Sequence, residues 1–175
     1  KKSKLRVKKI FSKNVLKIIA VGRLTLQKDF MTLFKAINLI KNKKIELVVV
    51  GKGSERENLQ GFIKKNNLSS KIKLIGYKKN PFKYIYQSEV LVLTSLFEGS
   101  PNVLIEAQYL KKYIISTNCP TGPREILEDG KFGELVKMGD YKKISKILES
   151  FSFNKKIKNK IKLGFKNTQN YDHKK

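Results

Sequence analysis

The sequence predicts an α/β domain built on a doubly wound, mostly parallel six-stranded sheet of Rossmann-like type. Two observations carry that expectation. Short, continuous apolar runs alternate with amphipathic stretches along the chain. The apolar runs show no in–out alternation, which is the pattern of strands covered on both faces. The length of 175 residues suits a single domain with a sizeable core.

The elements follow in order. Lys17–Gly22 (KIIAVG) reads as a buried strand closed by glycine, and Ile45–Gly51 (IELVVVG) as a second. Between them, Phe30, Leu33, Phe34, Ile37 and Ile40 recur at helical spacing over Asp29–Lys41. Glu55–Asn67 has Leu59, Phe62 and Ile63 on one helical face, and Lys71–Ile75 is a short strand. Pro81 opens a short helix to Gln87, because a proline ring is preset for a first helical turn. Glu89–Thr94 is the fourth strand, and Pro101–Lys111 a helix that Ser100 could cap with its hydroxyl. Tyr113–Thr117 is the fifth strand, Pro123–Glu128 a short helix and Gly133–Val136 a short sixth strand. A helix over Asp140–Phe151 precedes a last one marked by Phe153, Ile157, Ile161 and Phe165. Residues 1–14 read as a basic linker or N-terminal extension, 15–166 as the domain, and 167–175 as a polar tail. The first residue is not Met, which suggests a fragment of a longer protein.

The net charge is +25, and lysine supplies 35 of the 39 basic residues. Clustered cations would favour nucleic acid through counterion release. Here the lysines are spread along the whole chain among many Asn and Ile, which compositional drift explains better than a dedicated nucleic-acid surface. A basic nucleic-acid-binding module stays as the rival class, although the aromatics fall on apolar faces and not between cations. The same charge would draw the protein to anionic lipid, so peripheral membrane contact is an expected partner interaction. The lone Cys119 forms no internal disulfide and points to a reducing compartment. No run approaches the roughly 20 apolar residues that span a bilayer. The expected location is therefore cytoplasmic, at the inner face of the membrane.

In a doubly wound sheet the ligand sits beyond the carboxyl ends of the strands. Five loops matter: 22–28, 51–54, 76–80, 95–102 and 118–124. The first, Gly22-Arg23-Leu24-Thr25-Leu26-Gln27-Lys28, offers a scarce arginine and a lysine ahead of a helix. A diphosphate would meet a guanidinium fork and an ammonium there. Gly51-Lys52-Gly53 would allow close backbone approach, or is a plain turn. The fourth loop places Glu98 past a strand end and Glu106 in the next helix, with seven residues between them. Two of only 14 acidic residues lie here. Such carboxylates can hold sugar and ribose hydroxyls while helix-start amides from Gly99 to Leu104 hold phosphate. Ordinary solvated acids at a helix start are the competing reading. No Asp-x-Asp pair exists to hold a metal ion against a diphosphate, so no metal site is expected. Arg124, after a Gly-Pro turn, either reaches an acceptor or caps carbonyls. Cys119 has no His partner in the folded region and is not read as a nucleophile.

Glu98-x7-Glu106, with Gly99, Pro101 and Asn102 between, resembles the E-x7-E motif of retaining glycosyltransferases of the GT-B fold, group 1 or family 4. Gly22-Arg23-Leu24 with Lys28 resembles that family's diphosphate loop, and Gly51-Lys52-Gly53 its glycine turn. Asn118 to Leu127, then Gly130 and Gly133, resembles a variant found in bacterial members that build polysaccharides and glycans. The likeness covers roughly 17–151. It implies one half of a GT-B fold, the donor-binding domain, with a missing N-terminal acceptor domain as partner. It implies a nucleoside diphosphate sugar, UDP-hexose or UDP-HexNAc, as substrate and no cofactor. By this likeness Glu98 is catalytic, contacting donor hydroxyls and supporting the anomeric centre, and Glu106 binds ribose. Arg23 and Lys28 hold the diphosphate. Gly22, Gly53, Tyr77, Gly99, Ser100, Pro101, Asn102, Val103 and Leu104 complete the donor site. Other GT-B activities, an epimerase or a phosphorylase, remain as alternatives without identifiable acid/base groups or a cofactor lysine.

Overall fold

The computed structural model describes residues 9–172. Most of the expected basic extension, residues 1–8, and the end of the expected tail, residues 173–175, lie outside the described residues. Six strands form one sheet: β1 (Leu16–Val21), β2 (Ile45–Val50), β3 (Ile72–Leu74), β4 (Val90–Leu93), β5 (Tyr113–Thr117) and β6 (Glu134–Val136). Their order is β3-β2-β1-β4-β5-β6, and every neighbouring pair is parallel. Among the described residues seven helices connect and cover them: α1 (Phe30–Leu39), α2 (Arg56–Lys65), α3 (Phe82–Gln87), α4 (Asn102–Tyr109), α5 (Pro123–Ile126), α6 (Tyr141–Glu149) and α7 (Lys155–Asp172). A 3-10 turn, Leu26–Lys28, precedes α1.

Continuous apolar strands pack on both sides because successive side chains alternate between faces. Ile18, Ala20, Leu47, Val49, Val90 and Val92 face α1, α2 and α6, where Phe34, Leu59 and Leu148 fill the core. Ile19, Val48, Val50, Leu91 and Leu93 face α3, α4 and α5, against Ile85, Leu104 and Ile126. Thus α1, which follows β1, and α4, which follows β4, cover opposite faces. The adjacent central strands β1 and β4 therefore form the topological switch point, the place where sheets of this kind receive their ligands.

Three local findings refine the expectations. Helix α7 runs to Asp172, so residues 167–172 are helical and not a loose tail; Thr168 is buried there, its hydroxyl donating to the Phe165 carbonyl. The apolar run of β2 contains a buried acid, Glu46, which accepts the Ser12 amide at 2.7 Å and pairs with Lys73. With Ile10 and Phe11 packed on the second core, this docks residues 10–12 onto the domain, although they were assigned to a linker. Pro101 is the N-cap of α4 and no side chain caps it; Ser100 contributes its carbonyl to the Asn102 amide at 2.9 Å and not its hydroxyl.

Several lysines are structural clamps. Lys160 of α7 donates to the carbonyls of Gly130 and Gly133 at 2.7 and 2.6 Å and pairs with Glu134 at 3.0 Å. Removing it leaves those carbonyls without their donor, so Lys160→Met is expected to cost about 2 kcal/mol. Thermal denaturation checks this; the shift should be about 4–8 °C downward for a domain of this size.

Candidate functional site

The first loop is fixed from both sides. Leu24 is fully buried, its amide donating to Lys52 O at 3.0 Å and its carbonyl accepting the Glu55 amide at 2.9 Å. The loop therefore rests on the glycine turn after β2. Gly51 and Gly53 are needed for that contact: a Cβ on Gly51 would sit 1.8 Å from the Gly22 carbonyl oxygen, and one on Gly53 would sit 2.3 Å from the Leu24 oxygen. The glycine turn thus acts on the first loop's backbone while it also lines a cavity.

That cavity, about 680 Å³, is bounded by Gly22 and Arg23, by Gly51 to Gly53, and by Tyr77, Lys78, Lys79 and Pro81. Arg23 is exposed. The Lys52 ammonium stands over the Tyr77 ring at 5.7 Å, spanning the second and third loops. A second cavity of about 570 Å³ is lined by Glu106 together with residues 78–84. The two share Lys78, Lys79 and Pro81, so they adjoin each other across the loop after β3. Glu106, on the second turn of α4, is half-buried, and burial pushes its carboxyl above the ordinary carboxylate pKa. Such a group gains from hydroxyl donors supplied by a ligand.

Glu98 ties the β4 loop to the β1 loop. Its carboxylate pairs with the Lys28 ammonium and accepts the Ser95 hydroxyl at 2.5 Å. The two loops are further joined by Leu96 N to Gln27 O at 2.8 Å and by Gln27 Nε2 to Phe97 O at 2.9 Å. Loop five leans on loop four. The Thr121 hydroxyl donates to the Glu98 carbonyl, and a Cβ on Gly122 would meet Gly99 O at 2.6 Å. Cys119 is buried beside them; burial, then the nearby Glu98 charge, push its thiol pKa up, so it is poorly ionised.

The expected site residues therefore fall into three groups. Gly22, Arg23, Gly53 and Tyr77 share the first cavity, and Glu106 lines the adjoining one. Lys28 and Glu98 form an ion pair outside both linings. At the start of α4, Leu104 and Pro101 are buried and Val103 packs partly on the core, so their side chains serve the fold. The amides of Asn102 and Leu104 donate to Ser100 and Pro101 carbonyls, while Gly99 is open, with nothing within 4 Å of a built Cβ. Arg124 lines neither cavity and, among the described residues, caps no carbonyl; its guanidinium pairs with the exposed Asp129. Ser95, Thr117 and Thr121, which hold Glu98 in place, were not singled out in the sequence. Short hydroxyl residues at strand ends carry no distinctive spacing.

The profile of the family described as glycosyl transferases group 1 matches residues 1–166. The chain belongs to this family. Among relatives of this group 1 domain, an uncharacterised glycosyltransferase of Methanocaldococcus jannaschii is 43% identical over 111 residues, 62% of this chain and 27% of its own length. A second relative is the N-acetylgalactosamine-N,N'-diacetylbacillosaminyl-diphospho-undecaprenol 4-alpha-N-acetylgalactosaminyltransferase of Campylobacter jejuni. It is 34% identical over 149 residues, 83% of this chain and 40% of that protein. The group 1 domain thus spans well under half the length of these relatives. Among solved structures, the lipopolysaccharide outer core galactosyltransferase WaaB superposes with a TM-score of 0.72 at 27% identity, covering 89% of this chain and 48% of that one. Anabaena HepE, solved with UDP and glucose, gives a TM-score of 0.83 at 18% identity, over 90% of this chain and 44% of its own, a likeness of fold alone. The group 1 domain has the Rossmann-like architecture of one GT-B half.

Proposed function

We propose that this domain binds the nucleoside diphosphate sugar donor, a UDP-hexose or UDP-HexNAc, of a retaining glycosyltransferase. The full enzyme would extend a glycan or lipid-linked acceptor in bacterial surface polysaccharide or glycan synthesis. The Campylobacter relative, named for transfer to a diphospho-undecaprenol-linked glycan, supports that acceptor class. The observation that carries the reading is the pair of adjoining cavities, one lined by Arg23 and the glycine turn and the other by Glu106, with Lys78, Lys79 and Pro81 common to both. The residues present suit a nucleoside diphosphate: the exposed Arg23 offers a guanidinium to phosphate, the exposed Tyr77 ring a face to a base, and the half-buried Glu106 a carboxylate to a vicinal diol.

In this reading Arg23 and Lys28 oppose the negative charge that grows on the departing diphosphate. Fixed cations aimed at developing charge lower a barrier without reorganising at the moment of reaction. Glu98 meets donor hydroxyls near the anomeric carbon. The diphosphate charge is carried by side chains and not by a divalent ion. UDP affinity measured by calorimetry is therefore expected to be the same with and without EDTA, and a large loss with EDTA would contradict this. The acceptor is held elsewhere, on the N-terminal domain of the longer protein. The 175-residue chain is accordingly expected to bind UDP without transferring sugar. Calorimetric titration with UDP, ADP and GDP tests the donor reading: UDP should bind tightest, and no binding of any of the three would reject it.

A further inference from the structure

The Lys28–Glu98 pair is unusual for a site meant to receive a diphosphate, because the cation is already neutralised. Its side chains are only 16% and 7% exposed, so the pair is largely withdrawn from solvent screening. The two partners are anchored differently. Glu98 is held by its own loop and by the loop after β5. The Ser95 hydroxyl donates to the same Oε1 at 2.5 Å, the Thr121 hydroxyl donates to the Glu98 carbonyl, and the Thr117 hydroxyl fixes the Ser95 carbonyl at 2.6 Å. Ser95 and Thr117 are fully buried. Lys28 has no such anchor at its head. Its stem lies on Gly22, with Cγ, Cδ and Cε 3.4–3.5 Å from the position of a Cβ there. The four-carbon lysine stem is flexible, so its ammonium can change partners through side-chain torsions.

We propose that Glu98 holds the place of the donor diphosphate on Lys28, so that donor binding is an exchange of partners. The ammonium passes from carboxylate to phosphate, and Glu98, still held by Ser95, is freed for the sugar hydroxyls. This inference rests on the donor reading above and adds a coupling to it. A diphosphate carries more charge than one carboxylate and can displace it. A bare nucleoside diphosphate must break the covered pair and leave Glu98 without its cation. A nucleotide sugar replaces that cation with hydroxyl donors. Once the sugar has been transferred, Glu98 recaptures Lys28, which favours release of the nucleotide product.

The test is UDP affinity by calorimetry for the wild type, Glu98→Gln, Lys28→Met and the double variant. Glu98→Gln should bind UDP about fivefold tighter or more, because the competitor for Lys28 is gone. Lys28→Met should bind it weaker, and Glu98→Gln should make no further difference in the Lys28→Met background. A Glu98→Gln protein that melts like wild type but binds UDP equally or more weakly overturns the exchange while leaving the donor reading intact. A second readout needs no variant: the ¹³C carboxyl resonance of Glu98 should move on saturation of the wild type with UDP. An unmoved resonance overturns the exchange as well. Absence of UDP binding by all of these proteins rejects the donor reading, and the exchange falls with it.

Discussion

Glu106→Gln is expected to abolish the stabilisation that UDP gives this protein without destabilising the free fold. A ligand at 100 times its dissociation constant stabilises the native state by about 2.7 kcal/mol. For a domain of this length that is about 5–10 °C in melting temperature. The response should vanish if Glu106 holds the ribose diol, since the amide is a weaker acceptor for both hydroxyls. The free variant should melt at or above the wild type, because a half-buried carboxylate is removed. The pH dependence fixes the sign. Burial raises the folded-state pKa of Glu106. Its protonated form is thus favoured by folding, and that contribution is present at low pH and lost as pH rises through the raised value. The advantage of Glu106→Gln should therefore appear at neutral pH and disappear below pH about 4. Differential scanning fluorimetry across pH, with and without UDP, reads both effects. A full UDP response in Glu106→Gln would remove this residue from the site.

Gly51→Ala should be among the most damaging small substitutions in the chain. The added methyl would lie 1.8 Å from the Gly22 carbonyl oxygen and 3.0 Å from its carbon, both backbone atoms. A side chain could rotate away; a carbonyl held in the β1–β2 junction cannot. The Gly22 amide donates to Val50 O at 3.0 Å, and the Gly51 amide to Gly76 O at 3.0 Å. All three loops would have to part together. The expected cost is about 3 kcal/mol or more, in the upper range for one substitution. That is about 6–12 °C in melting temperature. The UDP response should fall with it, because Gly22 and Arg23 move. Gly99→Ala is the control: nothing lies within 4 Å of its built Cβ, so its stability should stay within about 0.5 kcal/mol of wild type. Equal melting of Gly51→Ala and wild type would mean that the first two loops do not pack as described.

The sheet was legible because its strands are uninterrupted apolar runs and its helices carry period-3.6 stripes. Both signals arise from burial, which composition records directly. The end of α7 was not legible: Asn167 to Asp172 is polar, and what extends the helix there is its continuity with the apolar turns before it, not its own residues. The docking of residues 10–12 was hidden for a related reason. It depends on Glu46, a single acid inside an apolar strand, whose partners are distant in sequence. Within the site, Arg23 and Glu106 could be found because arginine and acid are scarce here. The pairing of Lys28 with Glu98 could not, since it joins residues 70 apart and 35 lysines offer the same charge. Arg124 stood out for the same scarcity, yet its neighbour Asp129 takes it. Scarcity points to candidates; only the three-dimensional placement of opposite charges sorts them.

Backbone amide shifts of the 175-residue chain during a UDP titration test the central claim most directly. A donor site spanning the two adjoining cavities predicts concentrated, saturable shifts at Gly22, Arg23, Gly53, Tyr77, Lys78 and Glu106. Shifts confined to the groove of about 470 Å³ beside Glu125, Lys131 and Lys166, or spread evenly over exposed lysines, would contradict it.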